Sequence, residues 1–279
     1  MDSALHPEPL QLGPHRFNWG SRTYVMGVLN VTPDSFSGDG VWPDSASALH
    51  LAEQHAADGA DLIDIGGEST RPGAAPVDAE GELRRVVPII EELALRLPIP
   101  ISVDTTKASV ARAAIAAGAL LVNDISGFHH DPRMARVVAE SGAAAVLMEN
   151  GRGRPYADLI ADILARLEES VALATAAGVP RARLILDPGL GFGKTAAQSL
   201  EVMRRLAEFR RLGFPLLVGP SRKGTIGRVL GLPVEQRLEG TAAMVAIAIA
   251  NGADIVRVHD VRALARVVRM TDAIVRGWP

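Results

Sequence analysis

The sequence predicts a single (β/α)8 barrel of the TIM type, and three observations carry that expectation. Short runs rich in Val, Ile and Leu recur along the 279 residues without polar alternation, as parallel strands buried on both faces require. Ala-rich amphipathic stretches ending at glycine precede several of them, as in "HAADGADLIDIGGEST", "AIAAGALLVNDISG", "AESGAAAVLMEN" and "AIANGADIVRVHDV". Each run then stops at polar or glycine residues. Counting gives eight runs, the number that closes a parallel barrel. An open doubly wound sheet also alternates strand and helix, but the count and the lack of a G-x-G-x-x-G turn after the first strand favour the barrel.

Taken in order, the strands are expected over 24–31, 61–66, 100–104, 120–124, 144–148, 183–187, 216–219 and 254–258. Helical spacing fills 45–58, 80–97, 107–117, 158–177, 199–212 and 236–251, and a last helix over 263–276 follows strand eight. Gly59, Gly118, Gly142 and Gly252 stand where a helix C-cap calls for a left-handed residue. No linker interrupts the alternation, so the barrel domain is placed at 21–279. Residues 1–20 are expected to be a flexible lead-in with at most a short strand. Its first part carries Asp2, Glu8 and prolines, and lacks the basic and apolar regions of a secretory signal.

Composition excludes several classes of function. Without cysteine there is no disulfide, thiolate zinc site or cysteine nucleophile. A net charge of −3 with no basic stripe argues against nucleic acid. No run approaches the ~18–20 apolar residues of a membrane span. Lysine is scarce: Lys107, Lys194 and Lys223 are the only three, and all fall at or just beyond strand ends.

In such a barrel the functional groups project from the C-terminal strand ends. Those ends supply Asn30; Glu68, Ser69, Thr70 and Arg71; Asp104; Asn123 and Asp124; Met148, Glu149 and Asn150; Asp187; Ser221, Arg222 and Lys223; and Arg257, His259 and Asp260. Polar caps at any one end are ordinary, because a buried strand must meet water and the next helix wants an N-cap. Eight converging on one mouth are harder to dismiss. Asp104 and Asp187 with Asn123 suit the edge of an aminopyrimidinone, where carboxylates accept from paired N–H groups and an amide both donates and accepts. Lys223 can donate to a ring carbonyl or nitrogen, and Arg257 can stack or grip an oxyanion. Met148 and Phe192 offer apolar walls. The loops "NVTPDSFSGDG" and "GESTRPGA" are rich in glycine and hydroxyls, as anion-binding nests are, with Arg71, Arg257 and His259 adding positive charge. "LDPGLGFGKT" lacks P-loop spacing, so Lys194 is expected to be a solvated or helix-start residue rather than a phosphate ligand.

Six strings in one order, "MGVLNVTPDSFSGDG", "DIGGESTRPGA", "ISVDTTKASVARAAIAAGALLVNDISG", "LDPGLGFGKT", "GPSRKGTIG" and "RVHDV", resemble dihydropteroate synthases, pterin-binding TIM barrels. The resemblance runs from about Tyr24 to the last helix. It implies condensation of 6-hydroxymethyl-7,8-dihydropterin diphosphate with 4-aminobenzoate to 7,8-dihydropteroate and pyrophosphate, in folate biosynthesis. By similarity Asp104, Asn123, Asp187 and Lys223 hold the pterin, with Met148, Phe192, Gly219 and Ser221 around it. Asn30, with Asp39, binds Mg2+, and Asn30, Arg257 and His259 take the diphosphate. Thr70, Arg71 and Pro72 shape the aminobenzoate site, where sulfonamides compete. A cytoplasmic homodimer, built from helices away from the mouth, is also implied.

Three departures stand out. The first loop reads "SFSGDG" rather than "SFSDGG", moving its carboxylate to Asp39. Strand five ends in "MEN" rather than "MHN", placing Glu149 where a base is usual and near the expected anions. Gly224 stands where a serine often holds the aminobenzoate carboxylate, leaving Ser221, Thr225 or a backbone N–H to replace it. Two alternatives remain at this stage: a pterin-binding methyltransferase barrel and an inactive pterin-binding paralogue.

Overall fold

The computed structural model describes residues 7–32, 45–69 and 75–278. Two three-residue strands come first, β1 (Leu10–Leu12) and β2 (His15–Phe17), paired as an antiparallel hairpin. Eight parallel strands follow: β3 (Tyr24–Asn30), β4 (Leu62–Gly66), β5 (Ile101–Asp104), β6 (Leu121–Asp124), β7 (Ala144–Met148), β8 (Leu184–Asp187), β9 (Leu217–Val218) and β10 (Ile255–Val258). They lie in the order β8-β7-β6-β5-β4-β3-β10-β9. A parallel bridge from Leu186 to Leu216 joins the two ends, with the Leu186 N–H donating to the Pro215 carbonyl at 2.9 Å. The expected barrel is therefore closed.

Between and after the strands run α1 (Ser45–Ala57), α2 (Ala79–Arg96), α3 (Ala108–Ala116), α4 (Met134–Ser141), α5 (Leu159–Ala176), α6 (Ala196–Arg204), α7 (Gly224–Leu230), α8 (Leu238–Ala250) and α9 (Val261–Arg276). The short α4 and α7 were not anticipated, and the helix expected over 199–212 gives way to a 3-10 turn over Leu206–Leu212. The glycines expected as caps all take positive φ: Gly59, Gly118, Gly142 and Gly252.

Strand parity divides the core in two. Outward side chains such as Val25, Ile63, Val103, Val122, Leu147, Leu186, Val218 and Val256 pack beneath the helices. Inward ones at the N-terminal end of the strands, among them Met26, Leu62, Leu121, Val146, Ile185, Leu217 and Ile255, form a separate cluster with Leu10, Leu12, Phe17 and Trp19 of the hairpin. Phe17, Trp19 and Tyr24 pack ring against ring at 4.7–5.9 Å. Residues from Leu10 onward are thus a plug in the floor of the barrel, not part of a flexible lead-in. Strands of three residues between proline-bearing flanks carry too little periodicity to be read as such.

Candidate active site

The same parity that turns Met26 and Leu62 inward low in the barrel turns Asn30, Asp104, Asn123, Met148, Asp187, Gly219 and Arg257 inward at its mouth. Alternation separates neighbours: Asn123 faces the interior, whereas Asp124 faces out and accepts from the N–H and hydroxyl of Ser126 and the N–H of Phe128. Asp124 is therefore a turn-maker, and not part of the site.

Burial tunes the inward carboxylates. It pushes Asp187 up to about 6, against the backbone N–H of Gly189, which donates to Asp187 Oδ1 at 2.7 Å. Asp104 is pushed up to about 7 by burial, with Arg257 opposing. Arg257 Nη2 donates to Asp104 Oδ2 at 2.8 Å, and its Nε donates to Asp64 Oδ2 at 2.6 Å. Asp64 also accepts from Asn123 Nδ2 at 2.8 Å. Sequence reasoning missed Asp64 because it sits in the middle of β4 rather than at its end. A charged residue inside an apolar run, as in "DLIDIGG", was the signal available.

Loop residues complete the pocket. Phe192 is buried, and the Lys223 ammonium stands 4.4 Å from its ring centroid, with the Arg152 guanidinium at 5.0 Å. Burial lowers Lys223 to about 8, and Asp187 pulls it back up. A Cβ at Gly189 would lie 3.4 Å from Met148 Cγ but only 1.9 Å from the Glu149 carbonyl. With φ at +70°, that position admits only glycine, and the loop carrying Phe192 can close onto strand β7. Ser221 Oγ lies 3.0 Å from His259 Nδ1 and accepts from the His259 backbone N–H at 3.2 Å.

His259 corrects an expectation. Burial, aided by Arg257 and Arg222, pushes it down to about 3, so it is a neutral imidazole at pH 7 and offers hydrogen bonds rather than positive charge. Asp39, Thr70, Arg71 and Pro72 lie outside the described residues.

The mouth thus holds three inward acceptors, one ammonium and an aromatic wall, the complement of a flat heterocycle with paired N–H groups. Over residues 26–259 the chain matches the model of a family described as pterin binding enzymes. It belongs to that family. A dihydropteroate synthase of Bacillus subtilis is 52% identical over 94% of this chain and 92% of the relative. Among solved structures, a dihydropteroate synthase of Clostridium difficile in the presence of pteroic acid superposes with a TM-score of 0.91 at 48% identity, covering 93% of this chain and 99% of that one. The Xanthomonas albilineans synthase with 4-aminobenzoic acid gives 0.92 at 40% identity over 98% and 100%.

Against this family background, one of the departures finds a structural explanation. Glu149 follows the inward Met148 and so turns away from the mouth, toward α5, instead of toward bound anions. It accepts from Lys194, from Arg166 Nη1 at 2.9 Å and from the Tyr156 hydroxyl at 2.9 Å. Lys194 is no solvated residue: its side chain is 0% exposed, and it also donates to the Gly189 carbonyl at 3.0 Å. The ion pair clamps the pterin-side loop to strand β7. At Gly224 a Cβ would meet nothing within 4 Å, while Ser221 is engaged by His259 and Thr225 is buried. Among the described residues, nothing packed around Gly224 therefore requires glycine there.

Proposed function

We propose that this pterin-binding barrel is a dihydropteroate synthase, condensing 6-hydroxymethyl-7,8-dihydropterin diphosphate with 4-aminobenzoate to give 7,8-dihydropteroate and pyrophosphate. The observation that carries the reading is the inward floor of Asp104, Asn123 and Asp187, faced by Lys223. Asp187, with one oxygen fixed by Gly189, keeps the other for the amino and ring N–H groups of the pterin. Lys223 donates to the ring carbonyl, and Phe192 and Met148 cover the ring faces.

Chemistry at the methylene needs no protein nucleophile. The C–O bond to the diphosphate breaks with its electron pair leaving on oxygen. The methylene cation left behind is delocalised into the electron-rich dihydropterin, an SN1-like departure. The 4-aminobenzoate nitrogen then attacks through its lone pair and loses a proton. Arg257 uses one edge of its guanidinium on Asp64 and Asp104, which leaves the N–H groups of Nη1 for the developing diphosphate charge. Neutral His259, held by Ser221, adds a hydrogen bond. Thr70, Arg71 and Pro72 are the residues we assign to aminobenzoate, and the sulfonamides that mimic it compete there.

The mouth also suits a hard cation. Asn30 Oδ1, at the end of β3, stands 3.7 Å from the point above Gly66 where a Cβ would stand, and so offers an amide oxygen at the mouth. Magnesium typically takes one or two protein oxygens and completes its shell from water and substrate phosphates. We assign it to Asn30, with Asp39 as the second ligand; when bound, it neutralises charge on the leaving diphosphate.

We further propose a homodimer in the cytoplasm. Ile247 on α8 and Met270 and Ile274 on α9 are exposed apolar side chains on helices outside the mouth, as self-association requires. No helix among the described residues is long and apolar enough to cross a membrane.

The test is stoichiometry. With magnesium and both substrates, purified protein should release one pyrophosphate per dihydropteroate formed. Pterin binding without pyrophosphate release would instead identify an inactive paralogue.

A further inference from the structure

The mid-strand carboxylate of Asp64 is fully buried, one inward position below the mouth. Among the described residues its hydrogen bonds fall on one oxygen: Oδ2 takes Asn123 Nδ2 at 2.8 Å and Arg257 Nε at 2.6 Å. Among the same residues Oδ1 has no partner, and neither has the hydroxyl of Ser102, its neighbour in register on β5. A buried charge with an orphan oxygen is a poor stabiliser of a barrel core whose adjoining layer is built from Met26, Leu62 and Leu121. What the carboxylate does well is fix polarity. An ionised carboxylate can only accept, so the amide of Asn123 must turn its nitrogen to Asp64 and its oxygen away. Without Asp64, either end of that amide could face a ligand.

We propose that Asp64 is a positioning residue that sets the hydrogen-bond polarity of the pterin floor, holding Asn123 with its carbonyl oxygen toward the ligand and Arg257 with its free edge toward the diphosphate. Asn123 and Asp187 then present acceptors to the ring, with Lys223 as the donor beside them. The Asn123 oxygen favours a ligand N–H over a lone pair at the position it faces. The inference rests on the pterin reading of the site.

Removal of the Asp64 carboxylate tests it. Asp64→Asn leaves the amide of Asn123 free to invert, and Asn123→Asp sets two carboxylates against each other. Each change alone should weaken binding of the pterin diphosphate, measured by calorimetry without 4-aminobenzoate, by about 100-fold. The loss should depend on the ligand's edge. The parent's preference for the pterin diphosphate over its 2-oxo analogue, which presents a lone pair where the pterin presents an amino group, should narrow at least tenfold in Asp64→Asn, because its Asn123 amide can turn the nitrogen to the ligand. A folded Asp64→Asn variant that binds the pterin diphosphate within about fivefold of the parent, or that keeps the parent's preference between the two ligands, overturns the proposal. If Asp64→Asn does not fold, Asp64→Ser, which also removes the carboxylate, is read in the same way. Failure of the parent to bind the pterin diphosphate would instead refute the reading of the site itself.

Discussion

Removing the two halves of the Glu149–Lys194 pair should have unequal effects. Both side chains are buried, at 1% and 0% exposure. Glu149→Gln leaves the Lys194 ammonium with the Gly189 carbonyl and a neutral amide, and an uncompensated buried charge of this kind costs about 3–5 kcal/mol. Lys194→Met leaves Glu149 still bonded to Arg166 and Tyr156, each at 2.9 Å, so the loss should be only about 1–3 kcal/mol. In a domain of this size ~1 kcal/mol moves Tm by about 2–4 °C, so Glu149→Gln should lower Tm by roughly 10 °C. The pH dependence gives a second handle. Burial already holds Lys194 below its ordinary value, with Glu149 opposing, and removing Glu149 lowers it further. A lysine depressed in the folded state costs stability at any pH below its folded value. That cost fades as pH rises from there to ~10.4, where the unfolded chain also deprotonates. The deficit of Glu149→Gln, read from urea melts, should therefore shrink as pH rises toward ~10.4. A Lys194→Met variant as unstable as Glu149→Gln, or a deficit independent of pH, would refute this account of the pair.

Other outcomes follow from the same geometry. Pterin recognition needs Asp187 ionised and Lys223 protonated, so kcat/KM for the pterin diphosphate should be bell-shaped, falling below about 6 and above about 8. Lys223→Met should abolish the upper limb. Gly189→Ala, with its Cβ driven into the Glu149 carbonyl at positive φ, should cost ~2 kcal/mol or more in denaturant melts and raise KM for the pterin. Trp19→Ala, which empties part of the barrel plug, should destabilise by ~3–5 kcal/mol while pterin affinity stays unchanged in the folded fraction. Lys223→Ala should weaken pterin binding, whereas Arg71→Ala should chiefly raise KM for 4-aminobenzoate; small and equal effects of the two would break the two-site assignment.

The barrel was legible because eight parallel strands buried on both faces leave an unusually plain signature, and their polar ends locate the mouth. Most of the described floor residues were named from those ends. What stayed hidden depended on contacts that sequence order does not display. Lys194 and Glu149 meet across 45 residues, so the reading of "GFGK" alone left the lysine solvated. Parity, visible only once the register is known, sends Glu149 and Asp124 away from the site and Asn123 into it. The charge state of His259 depends on burial beside Arg257 and Arg222, which no motif records. Asp64 lies in mid-strand, where the polar-end signal does not reach.

The central claim is that the inward faces of the strands read a pterin. The most direct measurement is calorimetric titration of the pterin diphosphate into the parent and into Asp187→Asn, with 4-aminobenzoate withheld. The amide keeps one acceptor but turns the other into a donor facing the ring N–H groups, and charged hydrogen bonds of this kind are worth about 1.5–3 kcal/mol each. A loss of roughly 100-fold or more, with the variant still folded, is the predicted result. Affinity unchanged by Asp187→Asn would contradict it.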